Sequence, residues 1–428
     1  MIEQNVKLRK KPKKRRRGLI MGLLVAVVFA ELYCFAVFSN IPFIRKWRNI
    51  YIETAMDTLN HKWLATFFIP KGVIDDVMAE REAVIRAQQE LQSRWENIGS
   101  NSEPDVPDKQ EEPDNPDKPD KPDVQQATKG EREFFRLFSE LDARSFLDYV
   151  DEHPEVLENG YENIYINCAR LTDSGTSMRT VQGDEVLAVD ARHGILIVRV
   201  AGEGYVGKLA IVKDPADVRV GVASTLGTRG QSVKQIADRY NAVLAINASG
   251  FADENGVGHG GTVVGLLISE GVKYNERTGG TYLNIGFGKD DRLYIGASEK
   301  DVEFRDAVQF VPALIVDGEN VIAKKNLSSN SMGFGLQPRT VIGQAEDGTV
   351  LLLTIDGRQV GYSIGTTVVE CAAIMERYGA VQAANLDGGS STVMVYRGEE
   401  ITKPANGIKY GRNVPDAIIV GTLDDEAA

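Results

Sequence analysis

Asn385-Leu386-Asp387-Gly388-Gly389-Ser390-Ser391-Thr392 follows an apolar run, Ala380 to Ala384, that reads as a buried strand. A carboxylate, two glycines and three hydroxyls arrive together where that strand ends. Glycine lets the backbone turn sharply and lets a ligand come close. Open α/β sheets place their sites at the carboxyl ends of buried strands. Taken alone, the stretch fits a tight Asp-Gly turn between two strands equally well.

An echo lies upstream. Arg239-Tyr240-Asn241-Ala242-Val243-Leu244-Ala245-Ile246-Asn247-Ala248-Ser249-Gly250 and Arg377 to Gly388 share Arg-Tyr-x-Ala-Val-x-Ala-x-Asn-x-x-Gly. In both copies a helix ends, a short connection follows, and an apolar strand runs into a polar loop. Two related helix-strand-loop units are expected, with Asn247 and Asn385 at equivalent strand ends and a cleft between their loops.

The second unit extends backwards. Thr349 to Ile355 reads as a strand closed by Asp356-Gly357-Arg358, and Gly361 to Gly365 leads into a helix over Thr367 to Tyr378. Thr367-Val368-Val369-Glu370 is a capping-box pattern, so Glu370 is assigned to the cap. Gly379 is placed to end the helix. Such a β-loop-α-β connection normally makes two parallel strands. Asp356, Arg358, Asn385 and Asp387 are then expected on one sheet edge.

Around this core the chain is an α+β protein with a strand-rich, mixed-sheet domain. Strands are expected at Val186–189, 194–200, 207–212, 218–223, 242–247, 262–269, 282–287, 293–295, 307–316, 340–344, 349–355 and 393–396, with a further helix at 232–240. Glu131 to Val150 reads as one amphipathic helix. The organisation expected is a basic cytoplasmic tail (1–17), a transmembrane helix (18–38), a juxtamembrane helical stalk (39–99), a Pro/Asp/Lys linker (100–129), a helical lead-in (130–185) and the main domain (186–428).

The net charge of −12 hides an asymmetry. Nine lysines and arginines lie between Lys7 and Arg17, so the remainder is strongly acidic, which argues against a nucleic-acid partner. Leu19 to Phe38 has the length for one bilayer crossing, with Glu31 its single charge. The basic block sets the start inside and the rest outside. A cleaved signal peptide is the alternative, although the block is long for one and no small-x-small site follows. Trp47, Tyr51, Trp63, Phe67 and Phe68 suit a membrane interface. Val77, Val84, Leu91 and Ile98 recur every seven residues, which suits a lone stalk helix over 76–98 or a weak coiled coil. Glu103 to Asp123 repeats Pro-Asp-Lys and reads as an extended spacer. Of three cysteines, Cys34 is in the span; Cys168 and Cys371 are expected as free thiols, one disulfide between them being the alternative. No Cys/His spacing resembles a zinc site.

Asn247 to Phe251, Gly260-Gly261, Pro338 to Gly343, Asp356 to Arg358, Gly361 to Gly365, Asn385 to Thr392 and Arg412 to Val420 occur in one order, and together they resemble the phosphodiester glycosidase family. The resemblance spans Val186 to Thr422. This chain departs where it has Asn247-Ala248-Ser249-Gly250-Phe251 instead of Asn-Gly-Gly-Phe, and Ser390 instead of a third glycine. The family implies hydrolysis of a sugar-1-phosphodiester at the sugar carbon. Arg339 and Arg358 suit a phosphodiester anion, surface ion pairing being their plainer use. Asp387, and after it Asp356, suits attack on the sugar carbon or on water. Asn247, Asn385, Gly388, Gly389, Ser390 and Ser391 suit sugar hydroxyls or phosphate oxygens. His259 is either a phosphate donor or a simple loop histidine. No cofactor is implied; the oxygen donors are compatible with a divalent cation, which no spacing demands.

The expected activity is therefore that of a membrane-anchored extracellular hydrolase of phosphorylated surface glycans. The competing readings are a non-catalytic glycan-binding protein, or an exopolysaccharide or cell-wall assembly protein, on the same fold. A transferase passing the sugar to a glycan acceptor is a third.

Overall fold

The computed structural model describes residues 14–58, 61–95, 128–253, 258–276, 281–322, 334–405 and 407–423. The basic block up to Lys13 and the Pro-Asp-Lys spacer lie outside the described residues.

Three sheets make the body. The largest has nine strands in the order Tyr165–Asn167, Glu185–Asp190, Ile195–Gly202, Tyr205–Val212, Val350–Ile355, Arg339–Ala345, Ala380–Asn385, Ala313–Val316, Glu319–Asn320. A second runs Leu293–Ile295, Leu283–Gly288, Phe304–Phe310, Leu267–Ser269, Val272–Asn275. The third runs Glu399–Glu400, Met394–Tyr396, Leu244–Asn247, Asp416–Val420, Val218–Val222.

Side chains alternate between faces along a strand, and both faces of the large sheet are covered. Ile195, Ile197, Ala210, Val212, Val350 and Leu352 join a core shared with the other two sheets. Their neighbours Leu196, Val198, Leu209, Ile211, Leu351 and Leu353 pack under the helices Val368–Arg377, Lys129–Leu137 and Ala143–Glu152. Burial on both faces is why these strands read as unbroken apolar runs.

The two echoing units occupy opposite layers. The helix Val233–Arg239 covers the outer face of the third sheet through Val233, Ile236 and Ala237. The helix Val368–Arg377 covers the outer face of the large sheet. Their strands face inwards, with Leu244, Ile246, Ala384 and Leu386 in one core. Each strand has an antiparallel neighbour on both sides. The polar loops meet at the rim: the Asn247 side-chain amide donates to the Asp387 carbonyl at 2.6 Å, and the Asp387 N–H donates to the Ala248 carbonyl at 3.0 Å.

Several expectations change. The class is α+β, but the sheets are not mixed; every strand pairing among the described residues is antiparallel. Val350–Ile355 and Ala380–Asn385 do run the same way, because Arg339–Ala345 lies between them antiparallel to both. The single helix expected over 131–150 is two helices, each started by its own side-chain cap at Thr128 and Asp142. The run 307–316 divides between sheets at Pro312, which has no N–H for a ladder. Thr367 caps its helix, but the Glu370 carboxylate accepts from the Tyr205 hydroxyl at 3.0 Å. Cys371 is buried and Cys168 part-buried, and both are free thiols.

The N-terminal part is joined to the body. The helix Lys14–Phe38 contains a segment, Leu19–Phe38, apolar and long enough to cross a membrane. After it come the helices Pro42–Met56, Trp63–Thr66 and Lys71–Ala87. Trp47, Tyr51, Trp63, Phe67 and Phe68 are exposed, and the Tyr33 hydroxyl donates to the Phe68 carbonyl at 2.6 Å. The helix expected over 76–98 starts and ends earlier; Ile98 lies outside the described residues. Val77 packs on Ile52 and Ala55, and Val84 enters the core beside Phe134. The seven-residue spacing is thus consumed within the chain. Beyond Ala87, buried Gln88 both donates to the Ala313 carbonyl (2.9 Å) and accepts from its N–H (3.0 Å), as a neighbouring strand would. Ser93 pairs likewise with the edge residue Ile295.

Candidate active site

A cavity of about 380 Å³ opens where the two polar loops meet. Its wall includes Asp387, Gly388, Gly389, Ser390, Ser391, Asn385, Arg358 and Arg339, all expected from sequence. Gly388 has no room for a side chain, since a Cβ would sit 2.7 Å from the Pro338 carbonyl oxygen. Gly389 adopts φ +61°, a conformation glycine takes without steric cost.

Asp387 is held up to about 6 by burial; the Ser391 hydroxyl bond and the Arg412 charge work against this, and the Asp253 charge adds to it. Arg358 is exposed at φ +59°, and its guanidinium reaches Ser390 Oγ at 3.3 Å. It makes no ion pair with a carboxylate among the described residues. The cavity wall takes part of its guanidinium out of water, which lowers its pKa, while the Asp57 and Asp387 charges raise it. Asn385 donates to the Val311 and Leu386 carbonyls, leaving its Oδ1 without a partner among the described residues.

Other expected residues are placed differently. Arg339 is buried, and its guanidinium donates to the carbonyls of Thr366 (3.1 Å), Phe334 (2.6 Å) and Gly335 (2.8 Å). It braces the cavity wall more than it offers donors to a ligand. Asp356 is not on the wall. Its carboxylate accepts from the Tyr362 hydroxyl at 2.9 Å and the Lys403 N–H at 3.0 Å, beside Lys208, and burial raises its pKa. The shared sheet edge brought Arg358 to the cavity and left Asp356 behind it. Asn247 is fully buried, and its Oδ1 accepts from Thr340 and from the Val393 N–H. It positions the Asp387 loop and is not on the cavity wall. His259 is exposed and off the cavity wall.

Sequence reasoning missed Asp253, Arg412, Tyr282, Phe251, Phe310, Asp57 and Arg81, all on the wall. Asp253 and Phe251 lie just past the first echo, and Arg412 begins the last quoted segment, so those three carried a signal. Asp57 and Arg81 carried none. Burial, and then the Asp387 charge, hold the Tyr282 hydroxyl above its ordinary value. Among the described residues no group of three or more His, Cys, Asp or Glu side chains is arranged to hold a metal ion.

Residues 240–421 match the model of the phosphodiester glycosidase family, so this part of the chain is similar to that family. The SPbeta prophage-derived uncharacterized protein YomE of Bacillus subtilis (strain 168) is 30% identical over 222 residues, 46% of this chain and 31% of that protein; the chain thus spans about a third of this curated relative. The zebrafish N-acetylglucosamine-1-phosphodiester alpha-N-acetylglucosaminidase catalytic domain, auto-inhibited by its pro-peptide, is 23% identical, with a TM-score of 0.44 over 54% of this chain and 82% of that one. A hypothetical protein from Synechocystis is 15% identical, with a TM-score of 0.40 over 57% and 65%.

Proposed function

We propose that this chain hydrolyses the bond between a sugar C1 and the phosphate of a sugar-1-phosphodiester. The observation that carries the reading is Asp387, poised near pH 6, in one cavity with Arg358, a guanidinium free of any carboxylate partner among the described residues. Perturbed carboxyls in clefts are a mark of reaction sites.

The chemistry follows. The diester anion sits against Arg358 and Ser390, and the sugar lies toward Asp387, Tyr282 and Phe310. Asp387 takes a proton from water as the water oxygen bonds to C1. The C1–O bond breaks, and its electron pair stays on the phosphate oxygen. The product is a phosphomonoester whose second pKa is about 6, a good leaving group without protonation. Ordinary glycosidases supply an acid for that step; here Arg358 stabilises the developing charge. The Leu19–Phe38 helix anchors the enzyme in a membrane with the domain outside, and phosphodiester-containing surface glycans are its substrates.

A panel of sugar-1-phosphodiesters tests this with the full chain in detergent. Wild type should release free sugar, with kcat/KM rising with pH through about 6 and flat above, since the ionised carboxylate is the base. Asp387→Asn should lower kcat by about 10² to 10⁴ while glycan still binds. Glycan binding by wild type without turnover of any diester would support the binding-protein reading instead.

A further inference from the structure

The helices that follow the apolar span have a second apolar face besides the buried one. On Pro42–Met56, Phe43, Trp47 and Tyr51 lie at helical i, i+4 spacing and form one exposed stripe. Ile52 and Ala55 face the other way, into a core with Ala65, Ile69, Ile74 and Val77. The Tyr51 hydroxyl donates to the Leu64 carbonyl at 2.7 Å, which sets the short helix Trp63–Thr66 and the turn after it beside the stripe. There Trp63 is 54%, Phe67 78% and Phe68 50% exposed. Soluble monomers rarely gather so many large rings at one place in water.

The contacts of the span decide what covers this face. Tyr33 lies within Leu19–Phe38, and its hydroxyl donates to the Phe68 carbonyl at 2.6 Å. From Tyr33 to Phe38, the outer end of the span, the helix rises only about 7 Å. A helical tyrosine leans toward its helix N-terminus, here deeper into the bilayer. The Phe67–Phe68 turn therefore sits below the outer end of the span, beside its apolar surface. A backbone carbonyl without a partner is costly at that depth, and the Tyr33 hydroxyl supplies one. The end of the span is fixed as well. Val37 is buried in the core of the following helices, and Arg48 Nη1 donates to the Val37 (2.8 Å) and Ser39 (3.3 Å) carbonyls.

Charge agrees with lipid. Among the described residues from Ile41 to Gly72, the exposed charges are Lys46, Lys62 and Lys71. The two carboxylates there turn inward: Glu53 is buried and accepts from the Gly335 N–H, and Asp57 pairs with Arg81 at 2.5 Å. Lysines beside aromatic rings suit the headgroup level of an anionic bilayer. We propose that Trp47, Trp63, Phe67 and Phe68 dip into the outer leaflet of such a bilayer, as a second membrane contact beside the span. The domain is then not carried on a free tether. Pro42–Met56 runs from the span to Asp57, which lines the cavity, so the cavity keeps a fixed orientation to the headgroups. The proposal rests on reading Leu19–Phe38 as a membrane span.

Tryptophan fluorescence tests this with the full chain in nanodiscs of phosphatidylcholine and phosphatidylglycerol, with and without bromine near the headgroup end of the acyl chains. The tryptophans are Trp47, Trp63 and Trp95. One protein keeps only Trp63, a second keeps only Trp95, and a third has Val27→Trp in the span as its sole tryptophan, the others being changed to phenylalanine. Trp95 belongs to the body, where its indole N–H donates to the Leu293 carbonyl at 3.1 Å. Bromine should quench Trp63 about twofold and leave Trp95 unchanged. Adding Phe67→Ser and Phe68→Ser should remove about half of the Trp63 quenching or more. Quenching in the Val27→Trp protein with none at Trp63 overturns the proposal and leaves the span standing. Quenching in neither overturns both, and quenching at Trp63 alone supports the surface contact while the span reading fails. Equal quenching of Trp63 and Trp95 overturns the proposal. So does an unquenched Trp63 in a chain that sediments as a dimer, since a second copy then covers the face.

Discussion

Asp416 stands behind the proposed base, fully buried at the start of a central strand, with its Oδ1 accepting from the Ser249 N–H at 2.9 Å. Burial pushes its carboxyl up to about 7, and the Asp387 charge adds to this. Because the folded pKa lies above the ordinary value near 4, the unfolded chain loses this proton first as pH rises. Its contribution to stability is whole below about pH 4, declines at about 1.4 kcal/mol per pH unit, and is gone above about pH 7. Asp416→Asn keeps the acceptor and removes the charge. Its melting temperature should exceed that of wild type by several degrees at pH 8 and match it at pH 4; a lower value at pH 8 would show that the carboxylate is itself stabilising. At this scale Asp387 was legible because glycines and hydroxyls crowd around it. Asp356 was misleading because a residue's place on a sheet edge does not fix which side of the edge its carboxylate faces.

Helix and strand positions were largely legible, since period-two and helical spacing survive in the chain wherever an element has one or two buried faces. What periodicity does not carry is partnership. The apolar run ending at Val316 reads as one strand, but its halves serve different sheets. Val77 and Val84 read as a stalk seam, but their partners are in the same chain. Gln88 gives no signal at all, yet its side chain pairs twice with Ala313. Gln88→Ala leaves a buried N–H and carbonyl unpaired and should cost about 1–3 kcal/mol. Urea unfolding should show a lower midpoint with an unchanged slope; an unchanged midpoint would mean that water replaces the amide.

For the whole molecule, the decisive feature is that the helices Pro42–Met56, Trp63–Thr66 and Lys71–Ala87 and the segment 88–95 are built into the body. A chain begun at Gly130 loses Val84 from the core, the Gln88 and Ser93 pairings, and the Asp57–Arg81 wall. It should be less stable than a chain begun at Ile41 by at least about 3 kcal/mol, measured by denaturant titration. Equal midpoints would show the N-terminal helices to be ornaments on an independent domain. The chain by itself determined the two echoing units, the apolar span and the loop that holds Asp387, because each is written in local spacing and residue type. Only the tertiary structure decided that the large sheet is antiparallel with a strand slipped between Val350–Ile355 and Ala380–Asn385. Only it set the ion pairs Arg412–Asp253 and Arg81–Asp57 in the wall of one cavity. These are contacts between distant segments, and their geometry depends on how layers pack, which no local pattern records.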